Sequence, residues 1–297
     1  MKIQIGKMQW KNPVTVASGT FGMEYNNIFD LSRLGALVTK TITFETKIGN
    51  ETPRLAETEA GMLNSIGIQN PGVEGFRKDV LPEYEKFNTN LIVSISGGTI
   101  EEFGKLVERL NNETSIDAFE VNVSCPNVEN EGIAFGTDPD IVSELMAFLR
   151  AKTSKDLILK LTPNVTSIEE IALAAEKNGA DAISLINTVY GLAIDIETRT
   201  SKIKKGIAGY SGCGIKPIAL QNVYRVAQTV KIPIIGMGGI CNENDALEFI
   251  IAGASAVSVG TQNFVNPKIS IEIIAGIEKY LMRKKRKYAE LIGSMEL

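Results

Sequence analysis

Eight short apolar runs, each followed by a segment of helical periodicity or a long loop, constrain this 297-residue chain more than any other feature. The runs are VTVAS (14–18), ALVTKT (36–41), LIVSIS (91–96), AFEVNV (118–123), LILKLT (157–162), AISLIN (182–187), PIIGMG (233–238) and AVSVGT (256–261). Most are apolar almost throughout, the pattern of strands buried on both faces of a parallel sheet. Between them, TSIEEIALAAEKNGA (166–180) opens on a capping-box pattern at Ser167 and Glu170. It places Ile168, Ile171, Ala172 and Ala175 on one face and reaches a stop at Gly179. TIEEFGKLVERLNN (99–112) and NENDALEFIIAGA (242–254) follow the same plan. Alternation of this kind, repeated over about 250 residues, favours an α/β fold of the (β/α)8 barrel type. An open doubly wound sheet shares the periodicity and stays an alternative, because periodicity does not show closure. No composition shift or Gly/Ser/Pro-rich linker divides the chain, which predicts a single domain over 1–297.

Three connections are too long for plain turns: 42–71, 124–138 and 188–215. Each follows a strand, so each belongs to the face where barrel active sites form, and long loops in compact domains usually bind or cover ligands.

Composition narrows the chemistry. The chain has no histidine, which removes the usual neutral-pH base and the usual zinc ligand, and no metal site is expected. Acid–base work must fall to Cys, Lys, Tyr, Asp or Glu. A net charge of −4 argues against nucleic-acid binding. The basic cluster MRKKRKYAE (282–290) reads as the solvated end of a C-terminal helix, where cations complement the dipole. No run approaches the roughly 18 apolar residues of a membrane span, and the N-terminus lacks the apolar core of a signal peptide. Three widely separated cysteines (Cys125, Cys213, Cys241) form no disulfide framework and point to a reducing, cytoplasmic setting.

Polar residues stand at the strand ends: Ser18, Lys40, Ser94, Asn122, Lys160 and Asn187. Barrel strands aim these ends at one mouth. Lysine is rarely buried unless paired, so Lys40 and Lys160 each read alone as a barrel-interior salt bridge, and together as an anion site. The glycines of GMGGI (236–240) and VGTQNF (259–264) suit a phosphate site after the last two strands, or simply tight turns. No G-x-G-x-x-G opens a helix; GMGGIC fails at its last position, and there is no P-loop. Three cysteines cannot supply the four thiolates usual for an iron–sulfur cluster. Electron exchange with a dinucleotide therefore calls for another chain. In FEVNVSCPN (119–127), Cys125 sits in the polar loop after the fourth strand, where a thiol of pKa near 8.5 can act as nucleophile or base. The plainer alternative is a small buried hydrophobe.

At this point whole stretches match a known family: NPVTVASGTFG, TPRLAETEAGMLNSIGIQNPG, VNVSCPN, AFGTDP, KLTPNVT, INT, SGCGIKPIAL, IPIIGMGGI and AGASAVSVGT. The sequence resembles the class 1 dihydroorotate dehydrogenases, most closely the class 1B catalytic subunit, over essentially its whole length. The resemblance implies a barrel that binds FMN and oxidises (S)-dihydroorotate to orotate in pyrimidine biosynthesis. It makes Cys125 the base that removes the C5 proton while hydride passes from C6 to flavin N5. It assigns the substrate to Lys40, Asn64, Ser65, Ile66, Gly67, Ile68, Asn122, Asn187 and Thr188. It assigns FMN to Ser18, Lys40, Thr41, Asn122, Lys160, Ile186, Gly212, Gly238, Gly239, Gly260 and Thr261, with Lys160 near the flavin N1 edge. Ser94 takes the place of an asparagine usual at the third-strand flavin contact. AGYSGCGIKP (208–217) replaces a Gly-Leu-Ser-Gly-Pro-Ala pattern and puts Tyr210 and Cys213 beside the flavin loop. Cys213 and Cys241 read as structural thiols.

Subclass follows from the same likeness. Membrane-associated, quinone-using relatives carry an N-terminal extension and a serine base, and neither is present. Class 1A relatives act alone as homodimers with fumarate. Class 1B relatives form a homodimer core within a heterotetramer, paired with an FAD and [2Fe–2S] subunit that passes electrons to NAD⁺. The alternatives are a class 1A-like fumarate enzyme, an oxidoreductase of another dihydropyrimidine, and a non-catalytic flavin-binding protein.

Overall fold

Each of the eight apolar runs forms a strand in the computed structural model, which describes residues 1–123 and 135–296. They are β1 (Val14–Val16), β2 (Ala36–Val38), β3 (Asn90–Ile95), β4 (Ala118–Asn122), β5 (Asp156–Lys160), β6 (Ala182–Leu185), β7 (Ile234–Met237) and β8 (Ala256–Val259). All pair in parallel in the order β1-β8-β7-β6-β5-β4-β3-β2. The two end strands also meet. Gly35 N donates to Val14 O at 2.9 Å, and Thr15 Oγ1 donates to Ala36 O at 2.8 Å. This contact closes the ring, so the architecture is the (β/α)8 barrel and not the open sheet.

The outer layer is held by apolar helix faces and by caps. Helices α1 (Ile100–Leu110), α2 (Pro139–Arg150), α3 (Ile168–Lys177), α4 (Lys216–Ala227), α5 (Glu243–Ala252) and α6 (Ile269–Lys284) pack around the strands. A further helical run covers 72–84. Thr99, Asp138, Ser167 and Asn242 cap α1, α2, α3 and α5 by accepting backbone N–H bonds. Such a cap is worth about 0.5–2 kcal/mol. The basic cluster ends α6: residues 283–287 are exposed, and Lys285 turns the chain out at φ 52°.

Two additions to the plain barrel define its ends. At the bottom, Ile3–Ile5 and Met8–Trp10 form an antiparallel hairpin. Its Ile5, Met8 and Trp10 pack on Ala36, Ala118, Ala182 and Ala256, one small residue from each of four strands. The small side chains make room for the fully buried indole of Trp10. Replacing such a side chain by alanine costs about 3–5 kcal/mol.

At the top, the loops 42–71 and 188–215 meet in one four-stranded antiparallel sheet. Its order is Val189–Gly191, Ala208–Ser211, Gly61–Asn64, Leu55–Thr58. The pairing Gly209↔Asn64 ties together segments 145 residues apart in sequence, and Asn64 Nδ2 adds a bond to Gly209 O at 3.4 Å. The third long connection lies mostly outside the described residues.

Candidate active site

Most strands stop short of the polar residues at their tips. β1 ends at Val16, β2 at Val38, β6 at Leu185, β7 at Met237 and β8 at Val259. Ser18, Lys40, Thr41, Ile186, Asn187, Gly238 and Gly260 therefore stand beyond the last ladder residue. Released from strict strand alternation, they turn in over the mouth. Asn122 and Lys160 are the final residues of β4 and β5 and lie opposite each other in register.

Together they bound a cavity of about 370 Å³ at the carboxyl ends of the strands, within the range usual for cofactor and ligand sites. Around its rim the cap contributes Asn64, Ser65, Ile66, Gly67, Ile68, Thr188 and Gly212, and the last two βα loops contribute Gly239 and Thr261. Every described residue expected at cofactor or substrate lines this cavity except Ser94. Cys125 lies outside the described residues.

Ser94 stands apart from the other expected contacts. It is wholly buried and stands behind Thr41, whose Oγ1 is 2.9 Å from Ser94 Oγ. The same Thr41 hydroxyl lies 2.8 Å from Ser18 Oγ, accepts from Asn122 Nδ2 at 3.4 Å, and Thr41 N donates to Ser18 Oγ at 3.0 Å. Ser94 thus reaches the cavity only through a chain of hydroxyls. Its side chain is too short to pass Thr41. Tyr210 also stays out of the cavity, held in the cap opposite Val189 and Leu63.

Cations dominate the charged lining: Lys40, Lys160 and Lys205 border the cavity, and no described carboxylate does. Lys160 is 4% exposed, and its Nζ lies 3.5 Å from Glu120 Oε1, within β4. The interior salt bridge weighed for this lysine therefore exists, and the lysine borders the cavity as well. Lys40 Nζ lies close over Gly19, where an added Cβ would sit 3.2 Å away.

The loop backbone is shaped by glycines with left-handed φ: 109° at Gly212, 121° at Gly238 and 78° at Gly239. A Cβ on Gly239 would fall 2.7 Å from Lys216 N at the start of α4, so only glycine lets the two approach. Gly260 differs. A Cβ there would meet only Ala17 Cβ, at 3.6 Å, so protein packing does not demand its glycine. The β-branched Ile68 holds φ 50° on the substrate rim, a rare and strained conformation of the kind that gathers at ligand sites.

Several lining residues were not singled out in the sequence. Asn50 Nδ2 donates to Ser65 Oγ at 2.8 Å and fixes the rim of the 42–71 loop. Asn164 donates to Thr162 Oγ1 at 2.9 Å and Thr188 O at 3.0 Å, and accepts from Tyr190 N at 3.1 Å, so it ties the loops after β5 and β6. Glu120 was legible: an acid inside AFEVNV invites the same question as the two lysines. Cys241 borders the cavity beside Gly239, while Cys213 is exposed and donates to Ala60 O at 3.3 Å.

The model of the family described as dihydroorotate dehydrogenase matches residues 1–281. This chain belongs to the dihydroorotate dehydrogenase family. It is an oxidoreductase, and oxidation of dihydroorotate in pyrimidine biosynthesis is the family's reaction. A relative from Desulforamulus reducens is 51% identical over all of this chain and 99% of its own length. Relatives from Thermoanaerobacter pseudethanolicus and Bacteroides fragilis are 49% and 47% identical, with the same coverage. All three are named dihydroorotate dehydrogenase B (NAD(+)), catalytic subunit. In fold, the chain superposes on the crystal structure of the Eimeria tenella dihydroorotate dehydrogenase in complex with ferulenol, with a TM-score of 0.82 at 22% identity. That match covers 99% of this chain and 88% of the other.

Proposed function

We propose that this chain is an FMN-containing catalytic subunit that oxidises (S)-dihydroorotate to orotate and hands the electrons to a partner subunit for delivery to NAD⁺. What carries the reading is the convergence of Lys40, Asn64, Asn122, Lys160 and Asn187 on one cavity in a chain of this family.

The cavity fits an FMN-sized anion. Lys40 and Lys160 bring positive charge, Ser18, Thr41 and Thr261 bring hydroxyls, and the open backbone at Gly260 leaves room for a phosphate group. Gly212, Gly238 and Gly239 would hold the backbone near that phosphate, Lys160 and Asn122 the ring. Bound FMN supplies the two-electron acceptor for the hydride that leaves substrate C6.

This chain's own residues do the rest. Dihydroorotate is a small ring of amides with a carboxylate. The amides of Asn64, Asn122 and Asn187 can pair donor to acceptor with such a ring, and an ammonium such as that of Lys40 can meet the carboxylate. Asn50 and Asn164 hold Ser65 and Thr188, the rim residues next to Asn64 and Asn187. Cys125, three residues after Asn122 in sequence, takes the C5 proton as thiolate, the role the family resemblance gives it.

The relatives' common name, catalytic subunit, supports an electron-transfer partner. Such a subunit would carry FAD and a [2Fe–2S] cluster, two copies of this chain forming the core of a heterotetramer in the cytoplasm. Among the described residues no helix is long and apolar enough to cross a membrane.

The test is direct: purify the chain, record its visible spectrum, and identify the flavin released on denaturation. The expected result is a yellow protein that releases FMN and bleaches on anaerobic addition of dihydroorotate. A protein that neither carries nor takes up FMN overturns the reading.

A further inference from the structure

The cavity's second lysine is held from below by an acid that no step of the reaction uses. Glu120 and Asn122 are two residues apart on β4, so they share a strand face, and Asn122 lines the cavity. Glu120 therefore lies one layer deeper in the barrel, 3% exposed and not in the cavity wall. Its Oε2 accepts from Ser184 Oγ on β6 at 3.2 Å. Its Oε1 lies 3.5 Å from Lys160 Nζ on β5 yet, though buried, makes no hydrogen bond among the described residues.

Such a pair is a poor device for stability. Burying two charges costs about as much as their attraction returns, and only short, fully bonded geometry tips the balance. This pair is long and half-bonded. What the geometry does is leave the ammonium at the cavity wall while a negative charge sits behind it.

We propose that Glu120 is a positioning residue: it holds Lys160 at the cavity floor and offsets part of its charge, and so lowers the reduction potential of the flavin. The proposal rests on the FMN reading above. An uncompensated Lys160 would favour the anionic, reduced flavin more strongly, because a buried cation favours neighbouring negative charge. With Glu120 behind it, the preference is moderated and electrons leave the flavin more readily.

The test reads the flavin and not turnover. FMN-loaded protein is equilibrated with a dye of known potential, with no dihydroorotate present. In Glu120→Gln, which keeps the shape and an acceptor for Ser184, the ratio of reduced to oxidised flavin at fixed poise should rise about tenfold, near 30 mV for a two-electron couple. Lys160→Met should move the ratio the other way. In the Lys160→Met background, Glu120→Gln should have a much smaller effect, because a buried carboxylate without a cation partner does not stay charged and has no ammonium left to hold. An unchanged or lowered potential in FMN-loaded Glu120→Gln overturns the proposal, as does a full-sized shift in the Lys160→Met background. Should Glu120→Gln fail to fold, Glu120→Asp keeps the charge and draws it back by one methylene. It should shift the ratio in the same direction by less, and no shift there also overturns the proposal. A wild-type chain without FMN overturns the flavin reading itself, a distinguishable result.

Discussion

The base proposed above, Cys125, belongs to a chain without histidine, and that role sets an expected pH behaviour. A thiol with an ordinary pKa near 8.5 is mostly protonated at neutral pH, so flavin reduction by dihydroorotate should quicken as pH rises and the thiolate forms. Cys125→Ser keeps nearly the same volume but loses the acidity. Stopped-flow reduction of the variant's flavin near pH 7 should be slower by about 10²–10⁴-fold, with FMN still bound. A wild-type rate in that variant would remove Cys125 from the role of base. The other two thiols should separate by reactivity. Burial first, then the nearby Cys213 and Asp245, push the Cys241 thiol up to about 11, whereas Cys213 is exposed. At pH 8, mass-spectrometric mapping after brief iodoacetamide treatment should find Cys213 alkylated and Cys241 largely spared. Equal labelling would show that Cys241 is not held as described. Residue identity alone pointed to the polar strand ends Ser18, Lys40, Asn122, Lys160 and Asn187 that line the cavity, and the family resemblance added the rim residues 64–68. Ser94 is the instructive exception: its place in the third strand is clear from sequence, but whether a hydroxyl faces the cavity or the back of Thr41 depends on the neighbouring loop.

At the scale of elements, the loop after β7 is where backbone shape counts most. Cys241 N donates to Asp245 Oδ2 at 2.8 Å, and Asp245 Oδ1 accepts from Lys216 Nζ at 2.6 Å, so the loop is clamped between α4 and α5. Gly239 sits inside that clamp at φ 78°, against the first residue of α4. Gly239→Ala adds left-handed strain and a clash with backbone that cannot swing aside. We expect a loss of about 1–3 kcal/mol in stability, the usual cost of overpacking, and weaker retention of FMN. Thermal melts with and without added FMN measure both; an unchanged melt would mean the loop relaxes freely. Helices α1, α3 and α5, and the Ser167 cap of α3, were legible in the sequence because a cap and its first turn are neighbours along the chain. The cap sheet was not. Its strands Gly61–Asn64 and Ala208–Ser211 are two to three apolar residues among glycines and polar side chains, too weak a pattern to announce pairing with a partner so distant.

For the whole molecule, electron exit is the open transaction. The function proposed above routes electrons from FMN to NAD⁺ through a second polypeptide, in keeping with a sequence that shows no G-x-G-x-x-G opening a helix and has three cysteines. The isolated chain should reduce an artificial dye with dihydroorotate and should reduce NAD⁺ poorly, and coexpression with an FAD and iron–sulfur subunit should restore NAD⁺ reduction. Efficient NAD⁺ reduction by the isolated chain would refute this. Rapid turnover with fumarate would move the protein to the fumarate-using class.

Periodicity and motif by themselves determined the eight strands, helices α1, α3 and α5, the polar strand ends and the family, because each is carried by residues close in sequence. Only the tertiary structure decided that the ring closes through Gly35 and Thr15, and that the N-terminal hairpin seats Trp10 in a ring of alanines. It alone pairs the two long loops over the mouth and sets Glu120 beneath Lys160. These are contacts between distant segments. They are selected when the barrel's packing repays the entropy of closing the loops between them, and no local pattern in the chain encodes that balance.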